Sequence, residues 1–364
     1  MSFLKKLNNV RRFVTQKLTK KIATSNLKYA FDSTNKPTIK KILISRPNKR
    51  LGNLLLVTPL IQDVVATFPD CKIDLLVKGG AAPMIFKNYE NIDQIIQLPK
   101  KPFKELMLFI KSLKKIKTKR YDLVINVDKN SSSGRLTTQF SNSKFKFFGD
   151  FDEELPLKDK EYLHIAKYPV YSYRNNLSQL GYGTNDTRGR AEQSGAKPIP
   201  PIQLLLSPSE KEEGKKILRQ LVGNDKKTIC VFTFATGNKC LSEAWWEECY
   251  EKLMKAYPDY NIIEVLPFEN ISKIAFKAPS FYSKSIREIG SLIANTELFI
   301  GADSGIMHLA SAVQIPIIGL FSTSDFYINK YKPYSNNSIA VNTNEKSVDE
   351  IIEIVDAILT KNLT

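Results

Sequence analysis

A carboxylate, a hydroxyl and an imidazole fall close together in the run Phe299-Ile-Gly-Ala-Asp303-Ser304-Gly305-Ile306-Met-His308-Leu-Ala. The run reads as a buried strand that stops at Asp303 and turns straight into a helix. A helix start carries partial positive charge and N–H groups without intrahelical partners, so it is a natural seat for phosphate. Asp303 is placed to accept from a ribose hydroxyl or from a substrate hydroxyl, and the N–H groups of Ser304, Gly305 and Ile306 are placed to hold a diphosphate. His308, one turn in, is placed to donate to it. The same residues also make an ordinary N-cap and a core histidine.

Two other loops carry charge where strands give way to helices. Thr236-Gly-Asn-Lys239 supplies a flexible glycine and a cation that can neutralise the same phosphate. Arg46-Pro-Asn-Lys49-Arg50-Leu-Gly52-Asn53 offers a glycine for close backbone approach, with Arg46, Lys49 and Arg50 for an anion. Cys71, Cys230, Cys240 and Cys249 are scattered without CxxC spacing, and His164 and His308 stand far from any cysteine cluster. Neither a zinc site nor a disulfide framework is expected, and no metal or bound cofactor is assigned.

The elements that must position these loops alternate. Strands are expected at Lys41–Ser45, Lys72–Val77, Gln94–Leu98 and Asp122–Val127, with helices at Leu54–Phe68 (Pro59 marking a kink or a shifted start), Ala82–Asn88 and Phe103–Ile116. Residues 128–200 are less regular, with a helix near Tyr171–Leu180. The alternation restarts with helix Pro208–Leu221, strand Thr228–Phe234, helix Glu243–Ala256 and strand Asn261–Leu266. It continues with helix Ser285–Ala294, strand Leu298–Ala302, helix Gly305–Val313, strand Pro316–Leu320 and helix Val348–Leu359. A chain of 364 residues is long for one core, and this pattern predicts an α/β protein of two doubly wound halves. The expected division is a basic segment at 1–39, a first domain at 40–190, a Pro-rich linker at 191–203 and a second domain at 204–364.

The formal net charge of +17 is concentrated. Residues 1–40 hold ten Lys and Arg against one acid, Asp32, and residues 100–120 hold nine against Glu105. Phe3, Leu4, Leu7, Val10, Val14, Leu18 and Ile22 recur at helical spacing among lysines and arginines, the pattern of a helix that lies on an anionic bilayer. In the second segment Phe103, Leu106, Ile110, Leu113 and Ile116 form an apolar stripe beside Lys100, Lys101, Lys104, Lys111, Lys114 and Lys115. No run is long enough to span a bilayer and no signal-peptide pattern opens the chain, so a cytoplasmic, peripheral location is expected. Nucleic acid is not an expected partner, because the basic residues lie outside the phosphate loops and no nucleic-acid module is present.

Three blocks of the sequence resemble family 9 glycosyltransferases, the heptosyltransferase family of lipopolysaccharide assembly. The first joins Ile42-Leu-Ile-Ser-Arg46, Leu51-Gly-Asn-Leu-Leu-Leu-Val-Thr-Pro-Leu60 and Phe68-Pro-Asp-Cys-Lys-Ile-Asp-Leu-Leu-Val77. The second runs from Thr236 to Trp246. The third joins Gly301-Ala-Asp-Ser-Gly-Ile-Met-His-Leu-Ala310, Pro316-Ile-Ile-Gly-Leu-Phe321 and Thr323-Ser-Asp325.

The resemblance covers about residues 40–340 and implies a GT-B fold, two Rossmann-like domains facing across a cleft. The first domain would take a lipid-linked glycan acceptor and the second a nucleotide sugar, ADP-linked heptose or similar. The implied reaction is inverting transfer without a metal, at the inner face of the cytoplasmic membrane. Leaving-group charge would be met by Lys239, the amides of Ser304–Ile306 and His308, with Thr236 in the same block. Glu269 falls near the family's donor-ribose or base contact. One position departs: Asn53 stands where the family has the aspartate that acts as general base, and an amide cannot do that work. Asp128, after the strand Asp122–Val127, is the first substitute, since Asp63 lies too far into its helix. The alternative implied by Asn53 is a GT-B protein, altered or inactive, that binds sugar nucleotide or glycan.

Overall fold

The computed structural model describes residues 36–99, 105–150, 160–182, 197–334 and 337–361. The amphipathic segment 1–30, the residues Lys100, Lys101, Phe103 and Lys104, and residues 191–196 of the expected linker lie outside these. The chain divides into two compact units. One comprises the residues up to Lys49, Pro59–Ala82 and Tyr89–Pro200; the other comprises Arg50–Thr58, Pro83–Asn88 and Pro201 onward.

The first unit is built on five strands, β1 (Lys41–Ser45), β2 (Lys72–Lys78), β3 (Ile92–Leu98), β4 (Arg120–Asn126) and β5 (Asn142–Phe147). They form one parallel sheet in the order β3-β2-β1-β4-β5. Ile42 pairs with Ile73 on one side and with Leu123 on the other, and all three are fully buried. A parallel strand covered on both faces is apolar at consecutive positions, which is why Ile42-Leu-Ile and Leu75-Leu-Val read as unbroken runs. The helices along this half are α1 (Leu51–Leu55), α2 (Thr58–Thr67), α3 (Ala82–Ile85), α4 (Leu106–Thr118), α5 (Ser132–Phe140) and α6 (Tyr168–Ser178). The single helix expected over Leu54–Phe68 is two. The chain breaks after Leu55 and restarts at Thr58, with Pro59 in the first turn, where its missing N–H is harmless.

The second unit begins with α7 (Pro208–Val222), followed by β6 (Thr228–Phe232), α8 (Glu243–Ala256), β7 (Asn261–Val265) and β8 (Ser280–Phe281). Then come α9 (Ile286–Ile293), β9 (Leu298–Ala302), α10 (Gly305–Ala312), β10 (Ile317–Phe321), α11 (Asp325–Tyr331), β11 (Ser338–Asn342) and α12 (Val348–Lys361). Its six parallel strands run β11-β10-β9-β6-β7-β8. Counted from β6, this is the order of a doubly wound nucleotide-binding sheet, with its switch point between β6 and β9. In the first unit the equivalent point lies between β1 and β4.

Two pieces of the first half are locked into the second unit. The buried Arg287 on α9 grips both oxygens of Glu210 at 2.5 and 2.6 Å and donates to the carbonyls of Met84 and Leu205 at 2.8 and 2.6 Å. The Arg287 guanidinium holds the Glu210 carboxyl well below its usual range. Breaking so buried a pair from one side costs about 3–5 kcal/mol. The Asn88 amide also donates to the Leu205 carbonyl at 2.7 Å.

The described end of the expected linker is anchored at both sides. Arg174, itself paired with the buried Asp63, donates to the carbonyls of Lys197 and Pro198. Further on, Ile202 and Leu204 are core residues of the second unit, and the Leu204 N–H donates to the Ala312 carbonyl at 2.7 Å.

Helix α4 also differs from expectation. Its core face is Phe109, Ser112 and Ile116, rotated from the expected stripe; Ile116 and Phe109 pack with Leu43, Leu76 and Val124. Ile110 is exposed, as are Met107 and Leu108. Spacing alone does not separate two adjacent apolar faces of one helix, and packing selects the one that meets the sheet.

Candidate active site

Strand β9 ends at Ala302, and its neighbour β6 ends at Phe232. At this switch point the loops after β6, β7 and β9 enclose a cavity of about 290 Å³ within the second unit. Phe232, Phe234, Leu266, Phe268 and Ile286 make much of it apolar. Thr236, Glu269, Ser283, Lys284, Asp303 and Ser304 supply polar groups, along with the backbone of Gly305 and Ile306. A concave, mostly apolar pocket with a few convergent polar groups suits a small ligand with one flat apolar part.

The start of α10 leaves two backbone donors open. Ser304 is its N-cap, with the hydroxyl accepting from the Met307 N–H at 3.2 Å. That leaves the N–H groups of Gly305 and Ile306 without intrahelical acceptors, at the positive end of the helix. Asp303, buried, is anchored by its own N–H to the Leu320 carbonyl at 3.0 Å. Its carboxylate binds the Lys239 ammonium directly. Lys239 ends a single 3-10 turn, Gly237–Lys239, that Gly237 enters at φ 68°, a left-handed conformation favouring glycine. The cation and the carboxylate expected to serve different parts of a ligand are thus paired with each other.

His308 lies behind this wall rather than on it, and is 4% exposed. Burial, and then the nearby Lys239 charge, push its pKa down to about 4. At neutral pH it is an uncharged imidazole, so any help it gives an anion is that of a neutral N–H. Its Nδ1 has no hydrogen-bond partner among the described residues. Because the unfolded chain takes up this proton near pH 6.5 and the folded chain does not, stability falls as pH drops from about 6.5 to about 4. The expected loss across that window is a few kcal/mol. Urea midpoints at pH 7 and pH 5 read it, and His308→Gln should flatten the difference; an equal slope in that variant refutes this assignment.

Helix α1 presses on His308 through a glycine. A Cβ on Gly52 would stand 2.6 Å from His308 Cδ2, and one on Gly305 would stand 3.2 Å from Leu51 Cβ. Two glycines therefore let α1 and α10 touch at backbone distance, and Leu51 reaches the cavity wall. Gly52→Ala should cost about 1–3 kcal/mol by overpacking. An unchanged urea midpoint would mean that the two helices separate freely.

The remaining expected residues are divided between units. Asn53 is half-buried on α1, in the second unit, and Arg50 is exposed at the start of the same segment. Lys49 is exposed in the first unit. Arg46 is buried there, and its Nη1 donates to Asp128 Oδ2 at 2.7 Å, so it is engaged by a carboxylate rather than offered to an anion. Asp128 follows β4 at the switch point of the first sheet. Its other oxygen accepts from the Asn130 N–H at 3.0 Å, and its carbonyl accepts from the Asn126 amide at 2.9 Å. The structure thus brings six of the eight donor-side residues to one cavity wall, with Lys239 beside it and His308 behind. The apolar lining from Phe234, Phe268 and Ile286 is new; its only trace in the sequence is aromatic residues just past the ends of β6 and β7.

The profile of glycosyltransferase family 9 (heptosyltransferase) matches residues 283–353, which include the Asp303–His308 run. Lipopolysaccharide heptosyltransferase 3 of Escherichia coli is 25% identical over 311 residues, covering 79% of this chain and 85% of that one. Among solved structures, a family 9 glycosyltransferase from Veillonella parvula superposes with a TM-score of 0.69 at 15% identity, over 91% of this chain and all of that one. The E. coli ADP-heptose lipopolysaccharide heptosyltransferase II gives 0.65 at 16%, over 90% of this chain and 100% of that one. These two share the fold of the chain, the GT-B architecture. The matched signature at its switch point and a curated relative aligned over most of both lengths agree in making glycosyltransferase family 9 (heptosyltransferase) the family that this chain is similar to.

Proposed function

We propose that the protein transfers heptose or a similar sugar from an ADP-linked donor to a lipopolysaccharide or related glycolipid acceptor, with inversion and without a metal. The carrying observation is the second unit's cavity, apolar enough for a nucleoside and ending at Lys239, Asp303 and the open N–H groups of α10. In the proposed step the acceptor hydroxyl forms a bond to the anomeric carbon as the bond to the diphosphate oxygen breaks. The electron pair leaves with the diphosphate, where Lys239 and the α10 amides stabilise it. The hydroxyl proton goes to Asp128. Incubation with ADP-heptose, with and without a heptose-deficient lipopolysaccharide acceptor, tests the reading. Acceptor-dependent release of ADP is expected, and no release with any of a panel of nucleotide sugars would refute it.

A second reading keeps binding and drops transfer. It is favoured by Asn53, an amide in the position where the family carries a carboxylate. Tight binding of ADP-heptose with no turnover on any acceptor would select it.

We place the protein at the inner face of the cytoplasmic membrane, in contact through residues 1–30 and 100–120. Among the described residues no helix is long and apolar enough to cross a membrane. Helix α4 supports a surface contact: Met107 is 80% exposed, with Leu108 and Ile110 exposed beside it and Lys111, Lys114, Lys115 and Lys117 on the same helix. Apolar side chains among lysines suit shallow insertion between anionic headgroups. The full chain should float with vesicles containing phosphatidylglycerol. The triple change Met107→Gln, Leu108→Gln, Ile110→Gln should weaken that binding by roughly tenfold or more. Equal flotation of the two proteins would remove α4 from the contact, and a chain starting at Lys40 tests residues 1–30 in the same way.

A further inference from the structure

Helix α11 places three aromatic residues in seven and buries none of its residues. Phe326 and Tyr327 are 53% and 52% exposed. Tyr327 and Tyr331, one turn apart, hold their rings 6.4 Å apart with planes 9° from parallel, and Phe326 meets Tyr327 edge-on at 5.7 Å. Lys330 lies 5.7 Å from the Tyr331 ring. Aromatic surface kept in water in this way marks a contact surface, and tyrosine suits a partner that is apolar on one face and wet on the other.

One side chain joins this surface to the cavity. Lys239 Nζ lies 5.6 Å over the Tyr331 ring and also binds Asp303, which lines the cavity. No residue of α11 lines the cavity itself. A nucleotide sugar is a linear molecule of nucleoside, diphosphate and sugar. With its nucleoside in the apolar cavity and its diphosphate at Lys239 and the start of α10, its sugar emerges on the Lys239 side, where Tyr331 stands.

We propose that Tyr331 and Tyr327 form a stacking platform for the sugar ring of the donor. The ring's C–H face lies on the aromatic surface, and its hydroxyls stay in reach of water and of the Asp303 carboxylate. This rests on the nucleotide-sugar reading above and adds to it the residues that recognise the transferred group. The platform meets the sugar and touches neither the nucleoside nor the diphosphate directly, so it separates two ligands that differ only in the sugar.

Calorimetric titration of the full chain with ADP and with ADP-heptose tests it. The double change Tyr327→Ala, Tyr331→Ala should weaken ADP-heptose binding about tenfold and leave ADP binding within about twofold. Tyr327→Phe, Tyr331→Phe, which keeps the rings, should restore ADP-heptose affinity. Equal losses for both probes would overturn the proposal and assign Tyr331 to holding Lys239. No loss for either probe would overturn it outright. If the unaltered chain binds neither probe, the nucleotide-sugar reading itself falls and the platform with it.

Discussion

Lys239→Ala is expected to lower the turnover of sugar transfer by about 10²–10³-fold, the usual effect of removing one preorganised partner of a developing anion. Lys239 is a cation held beside the cavity wall by its ion pair with Asp303, 5.6 Å over the Tyr331 ring. The diphosphate is already anionic in the bound donor and gains a further negative charge as the glycosidic bond breaks, so the loss should fall on kcat and also raise KM. The substitution also strands the buried Asp303 carboxylate, which by itself costs stability. The double change Lys239→Ala, Asp303→Asn separates the two effects. It should recover much of the thermal stability lost in the single variant while turnover stays low. If Lys239→Ala turns over at close to the unaltered rate, Lys239 is no more than the partner of Asp303.

Asp128→Asn should lower transfer by about 10²–10⁴-fold, the range that a general base contributes. The change is nearly isosteric. An amide oxygen can still accept from Arg46 Nη1, as Asp128 Oδ2 does at 2.7 Å, and the loop still has the Asn126 bridge to the Asp128 and Phe148 carbonyls. Removing the charge opposite the buried Arg46 should cost some thermal stability, while ADP affinity should not move at all. Unchanged turnover in this variant would limit Asp128 to seating Arg46 and leave the acceptor's proton without an assigned base.

The α/β alternation was legible because parallel strands buried on both faces are apolar at every position, as in Leu298-Phe-Ile and Ile42-Leu-Ile. The ends of β9 and α8 match the expected residues. What escaped was built from weaker signals. Helix α5 is rich in Ser and Thr and depends on its Ser131 cap. Strand β11 is an edge of five residues with only Val341 buried, and β8 is only two. Helix α11 has no buried face, so no periodicity marks it. The donor loops were readable because their residues are adjacent in sequence. The allegiance of α1 was not, since it depends on Gly52 fitting against a histidine more than 250 residues away. The burial of His308, which keeps its imidazole uncharged, was not legible for a related reason, because burial is not written in a local motif.

The membership of Arg50–Thr58 and Pro83–Asn88 in the second unit also bears on how this chain can be recombined. The second unit is not a contiguous gene segment. A fragment cut at Pro201 would lose the glycine that covers His308 and the Met84 carbonyl that Arg287 grips. A chimera meant to exchange donor preference with a relative should therefore carry three grafts together: the carboxyl-terminal half and both short inserts from the first. Built that way, the interface residues of the donor half travel as a set that already fits.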